Sequence, residues 1–108
     1  MSYAKTKKEV SNLVTCEASS MKAEGFTFRS KYEAESVIRI QLEEARRELH
    51  RCNGWSEAFT EAVGMQRDVG LQNYAEELNR QAEYLAVEAI RLAALAKSYT
   101  DTKRGGEA

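Results

Sequence analysis

The chain has no proline among its 108 residues, only two cysteines, and a net charge of −1. Each shortage excludes something. Without proline and with few β-branched residues, a turn-rich β-sandwich is disfavoured. Two thiols, Cys16 and Cys52, are too few for a disulfide framework, so we expect them free and the protein cytoplasmic. No run approaches the roughly 20 apolar residues of a membrane span. The lysines near the start, Lys5, Lys7 and Lys8, are followed by no apolar segment of the kind a secretory signal carries. The near-zero net charge offers no broad field for nucleic acid, although residues 1–31 carry six bases against three acids and residues 53–108 carry six against nine.

What is present is 43% apolar and 31% charged, enough for one domain with a core. The apolar spacing is helical throughout, and the expected fold class is all-α: a helical bundle of three long helices and one short one. The first helix runs from about Ala4 to Glu24, with Val10, Leu13, Val14, Ala18 and Met21 on one face and Gly25 as its stop. Ser30 and Glu33 form a capping box for the second, whose stripe is Ala34, Ile38, Leu42, Ala45, Leu49 and Cys52. Asn53-Gly54 reads as its left-handed stop. A short third helix follows near Ser56–Met65, with Trp55, Ala58, Phe59, Ala62 and Val63 at helical spacing. Asp68 is placed to cap the next helix. The fourth, about Leu71 to Tyr99, carries a heptad seam of Leu71, Ala75, Leu78, Ala82, Leu85, Ala89, Leu92, Ala96 and Tyr99. Residues 1–99 therefore read as one domain and 100–108 as a frayed polar tail.

Near its end this last helix is apolar on most sides. Leu85, Ala89, Ile90, Leu92, Ala93 and Ala96 are more than one short chain can cover, so we expect a homo-oligomer joined through this helix. Polar residues edge the stripes: Gln41, Glu44 and Glu48 on the second helix, Glu77, Gln81 and Glu88 on the last. Glu88 falls inside the arc of Leu85, Leu92 and Leu95, where a carboxylate needs a partner, because a lone buried charge costs several kcal/mol. Two answers are open. Glu44, Glu48, Glu77 and Glu88 can gather around a hard cation such as Mg²⁺, with Gln41 and Gln81 beside them, or Glu88 can pair with Arg91.

His50, in the last turn before Asn53, reads as a surface side chain, and Cys52 as core. Arg39, Arg46 and His50 make a basic line on the second helix, with Arg47 and Arg51 close by, that could hold phosphate. The i,i+4 pairs Glu35–Arg39 and Glu43–Arg47 instead point to a solvated face, and nucleic acid is not the favoured partner.

Residues 32–45 (YEAESVIRIQLEEA), 55–63 and 85–97 (LAVEAIRLAALAK) resemble small helical proteins of phages and prophages, themselves similar to compact MazG-like all-α nucleotide pyrophosphohydrolases. The resemblance spans about residues 30–99. It implies an Mg²⁺ site built from a Glu-Glu-x-x-Glu set and a later Glu-x-x-Asp set. The first would fall on Ile40, Gln41 and Glu44, and the second on Glu88 and Arg91. Only Glu44 and Glu88 match. Isoleucine cannot ligate, an amide ligates weakly, and Arg91 brings a positive charge where a ligand is needed. Bridging and neutralising phosphate oxygens requires the metal. The expectation is therefore a non-catalytic interaction or structural protein on that scaffold, with no cofactor. The alternatives are an Mg²⁺-dependent nucleoside triphosphate pyrophosphohydrolase and a nucleic-acid-associated accessory protein.

Overall fold

A computed structural model describes residues 2–106, with side chains over 2–101. It contains α1 (Tyr3–Ala23), α2 (Lys31–Gly64) and α3 (Leu71–Gly106), and no strand among the described residues. The all-α expectation holds, but the short separate helix does not exist. Residues 56–64 are the last turns of α2, which runs through Asn53-Gly54 without a break. The physical reason is that the apolar spacing does not change phase there. Cys52, Trp55, Phe59 and Ala62 continue the stripe of Ala34, Ile38 and Ala45, and burying a continuous stripe outweighs the roughly 1 kcal/mol that a helical glycine costs. Helix α3 likewise carries its backbone through 100–106, where a tail was expected, and residues 107 and 108 lie outside the described residues.

The helix ends follow their capping chemistry. Ser2 Oγ accepts from the Lys5 N–H at the start of α1. At its end Gly25 takes φ +82°, the Gly25 N–H donates to the Lys22 carbonyl and the Phe26 N–H to the Met21 carbonyl, which is a Schellman stop. Phe26 and Met21 both pack against the core cluster of Phe28, Ala34 and Leu95. Ser30 Oγ accepts from the Glu33 N–H at 3.1 Å, as the capping box requires, while the Glu33 carboxylate reaches back one residue further, to the Arg29 N–H. Helix α2 ends on a second Schellman turn, Arg67 N–H to the Ala62 carbonyl, with Gln66 at φ +56°. The cap of α3 falls on Gly70 and not on Asp68. Its carbonyl accepts from the Tyr74 N–H, and its φ of +94° is one glycine adopts freely.

Helices α2 and α3 form a long antiparallel hairpin, about 50 Å along each arm at 1.5 Å per residue. Their register is visible in three places: Ala34 beside Leu95, Gln41 bonded to Glu88, and Trp55 against Tyr74 with ring centroids 6.2 Å apart. Seven residues forward on α2 match seven back on α3, which is coiled-coil pairing. The half-buried and buried positions of α3 follow it: Tyr74, Leu78, Gln81, Leu85, Glu88, Leu92, Leu95 and Tyr99. This is not the seam expected from the sequence. The leucines are shared, but Gln81 and Glu88 stand inside, while Ala75, Ala82, Ala89 and Ala96 are exposed.

Helix α1 packs on α3 and not on α2. Ser98 donates to Met21 Sδ at 3.8 Å, and Ala94, one turn before Ser98, is fully buried. Both lie on the side of α3 turned away from the α2 seam. The second half of α1 carries the contact through Val14, Ala18 and Met21, whereas residues 2–13 are exposed throughout. So Val10 and Leu13, expected to share the buried face, do not reach it. Phe28 closes the end of the layer, buried edge-on against Phe26 and beside Tyr99.

With α3 in the middle, the three helices make a single layer, 63 × 30 × 20 Å. Its radius of gyration is 18.0 Å, against about 13 Å for a compact domain of this length. The accessible surface is 8230 Å², where a compact monomer of 12.2 kDa exposes about 6,060 Å². Among the described residues no large side chain is fully buried.

Candidate functional site

Two polar layers cross the hairpin one heptad apart. In the first, Gln41 Nε2 donates to Glu88 Oε2 at 2.6 Å and to the Glu88 carbonyl at 3.0 Å. The other carboxylate oxygen of Glu88 accepts from Arg91 at 3.3 Å. The carboxylate that sequence reasoning placed among leucines is thus held by one amide and one guanidinium, and its side chain is only 18% exposed. The expected Glu88–Arg91 pair forms. In the second layer the hairpin register sets Glu48 against Gln81. Glu48 Oε1 accepts from Arg51 at 3.0 Å, while Glu48 Oε2 and Gln81 Oε1 are buried without a hydrogen-bond partner. A half-turn of the Gln81 amide would present its NH₂ group to the carboxylate and reproduce the first layer with acid and amide exchanged between helices.

All four candidate metal carboxylates have the same neighbour, an arginine three residues on. Glu44 pairs with Arg47 at 3.3 Å, Glu48 with Arg51 at 3.0 Å, Glu77 with Arg80 at 2.9 Å and Glu88 with Arg91 at 3.3 Å. Among the described residues no three His, Cys, Asp or Glu side chains are grouped so as to hold a metal ion. The spacing explains this. Residues 41, 44 and 48 and residues 77, 81 and 88 are strung along their helices, so the antiparallel register gives each carboxylate its own level. Glu44 and Glu88, the two matches to the enzyme pattern, each face a guanidinium of their own helix.

The basic line on α2 is similarly spoken for. Arg39 pairs with Glu35 at 3.3 Å, as expected, but Arg46 takes Glu43 at 2.8 Å and Arg47 takes Glu44, so the anticipated Glu43–Arg47 pair does not form. An i,i+3 partner was available to each, and both choices satisfy one more acid than a single i,i+4 pair would. His50 is exposed and Cys52 buried, and neither cysteine is bonded. Of the residues expected at an oligomer surface, Leu85 and Leu92 are half-buried in the α2 seam and Ile90 is half-buried outside it. Ala89, Ala93 and Ala96 are exposed.

Two clefts accompany the hairpin. A shallow one of about 300 Å³ lies beside the Glu48–Gln81 layer, lined by Arg51, Gly54, Trp55, Ala58 and Gln81. A wider one of about 680 Å³ sits at the turn between α2 and α3, with Ala62, Met65, Asp68, Val69 and Tyr74 among its walls. Sequence reasoning missed both. The first depends on Gly54 being helical.

The clearest surface is the one opposite the arginines. Counting 100° per residue, Leu42 and Leu49 lie about 80° around α2 from its seam, and Ala75, Ala82, Ala86, Ala89, Ala93 and Ala96 about 90° around α3 from its own, in the same rotational sense. Antiparallel packing turns both flanks to one side of the layer. The six alanines are exposed, and Leu49 is 48% exposed. The pairs Glu44–Arg47, Glu48–Arg51, Glu77–Arg80 and Glu88–Arg91 occupy the other side. No helix among the described residues is long and apolar enough to cross a membrane. No family model matches the chain, and no curated protein or solved structure matches it.

Proposed function

We propose that this chain is a non-catalytic interaction or structural protein of the phage and prophage type, on a MazG-like scaffold, acting in the cytoplasm as a homo-oligomer with its last helix in the interface. The observation that carries the reading is the open single layer. It exposes roughly 2,200 Å² more than a compact monomer of its mass, well beyond the about 800 Å² each partner contributes to an ordinary stable interface. Surface of this extent, with apolar side chains on it, is what an assembling subunit carries. The lack of catalysis rests on the arginines. A guanidinium already bound to each carboxylate supplies the positive charge that Mg²⁺ would bring, and it offers phosphate no open coordination position.

Sedimentation of the purified protein at micromolar concentration tests the assembly. A species of at least two chains is expected, and a stable monomer overturns it. Incubation with nucleoside triphosphates and Mg²⁺ tests the chemistry. No pyrophosphate above background is expected, and sustained turnover that disappears in Glu88→Gln would replace this reading with the pyrophosphohydrolase one.

A further inference from the structure

The proposed assembly leaves open which surface joins the copies and how. We infer that the face bearing Leu42, Leu49 and the α3 alanines pairs with the same face of a second copy about a two-fold axis parallel to the helices, making an antiparallel four-helix bundle with α2 of each chain seated on α3 of the other. The inference rests on the homo-oligomeric reading and goes beyond it by fixing the surface, the symmetry and the register.

The face is self-complementary in a particular way. Its large side chains are on α2 and its small ones on α3. A two-fold along the helix direction carries α2 of one copy across to α3 of the other, so leucines meet alanines. A two-fold across the helices would set α2 on α2 and α3 on α3, so that leucine meets leucine and alanine meets alanine. That leaves one contact crowded and the other thin.

The axis also fixes the height. A pure two-fold rotation leaves every residue at its own level along the axis. The level of each residue follows from the hairpin register set by the Gln41–Glu88 bond and the Trp55–Tyr74 contact. Leu42 of the second copy therefore arrives between Ala86 and Ala89, and Leu49 beside Ala82. Alanines at those levels leave holes for both knobs, and they let the helix axes approach to the 8–10 Å of packed helices. Each of α2 and α3 would run antiparallel to both neighbours it touches, the alternation usual in four-helix bundles. Helix α1 packs on the side of α3 turned away from α2 and leaves the alanines uncovered. The pairs Glu44–Arg47, Glu48–Arg51, Glu77–Arg80 and Glu88–Arg91 stay on the outer surfaces, while Glu35 and Arg46, within about 60° of the two leucines around α2, flank the contact.

The test uses the full chain in a Cys16→Ser background, which removes the exposed thiol. One preparation carries Leu49→Cys and another Ala82→Cys. After mixing and mild oxidation, a disulfide-linked dimer is expected from the mixture and from neither preparation alone. Cross-linking of either preparation alone at the mixed yield overturns the axis. In parallel, Leu49→Glu should sediment as a folded monomer, with its helical circular dichroism retained because the side chain is half in water. Tyr84→Glu on the opposite face should leave assembly unchanged. If the wild-type chain is itself a monomer, the homo-oligomer reading falls and this inference with it. If the wild type assembles, yet Leu49→Glu assembles equally and the mixture does not cross-link, this inference alone is overturned.

Discussion

Replacing Gly54 with alanine separates two accounts of the same dipeptide by the sign of the change. In the structure Gly54 lies inside α2 with a negative φ, and a methyl group built on its Cα meets no atom within 4 Å. Alanine is the better helix former by about 0.8–1.0 kcal/mol at an interior position. With no clash to subtract, Gly54→Ala should stabilise the protein by about 0.5–1 kcal/mol, raising the melting temperature by about 3–6 °C for a domain of this size. Had Asn53-Gly54 been a left-handed stop between two helices, the same change would cost about 1–2 kcal/mol. Gly54 sits roughly 130° around α2 from Leu42 and Leu49 at 100° per residue, so the substitution does not touch the alanine face. Urea unfolding followed by far-ultraviolet circular dichroism, with both proteins at one concentration, reads the difference. Destabilisation by about 1 kcal/mol or more, the least that a left-handed alanine costs, would refute the continuous α2 if the native helical signal stays intact.

Substitutions at two further positions probe other features. Glu88→Ala should cost about 1–2 kcal/mol in the same unfolding experiment, because Gln41 loses a charge-assisted acceptor in a part-buried layer. Glu88→Gln keeps an acceptor and gives up only the Arg91 pair, so its cost should stay below about 1 kcal/mol; equal losses in the two variants would show that the layer does not depend on the Gln41 bond. Gln66→Gly relieves a side chain held at φ +56° and should stabilise by up to about 1 kcal/mol, allowing for the greater freedom of glycine in the unfolded chain. A loss of stability would mean that the Gln66 side chain contributes more than its backbone strain costs.

How far each feature was legible depended on whether its cause was local. Gly25 and Ser30 act through their own neighbours, so the stop of α1 and the start of α2 are readable from the letters alone. The Glu88–Arg91 pair is legible for the same reason, being one turn of one helix. Asn53-Gly54 has the letters of a stop, yet its conformation is decided by the stripe that continues on either side, which is a tertiary effect. The seam of α3 was misread because two sets of positions share its leucines. Alanines complete one set and Gln81 with Glu88 the other, and hydrophobicity alone favours the first. Only the presence on α2 of Gln41 and Glu48 in matching layers makes the polar set the buried one. Similarly, Arg47 had two acids in reach, Glu43 and Glu44, and with Glu43 held by Arg46 it pairs with Glu44.

The order of acid and amide in the two crossed layers has a consequence for how the hairpin holds its alignment. Helix α2 reads Gln41 then Glu48, and α3 reads Gln81 then Glu88, so a slide by one heptad brings like to like. In one direction Glu48 arrives opposite Glu88, two carboxylates in a half-dry gap. In the other Gln41 meets Gln81, and Glu88 is carried to the level of Ala34, which has nothing to offer it. The repeating leucines would tolerate either slip. The four polar side chains act as a ratchet pawl, permitting a single docking position along two arms that grease alone would leave free to creep.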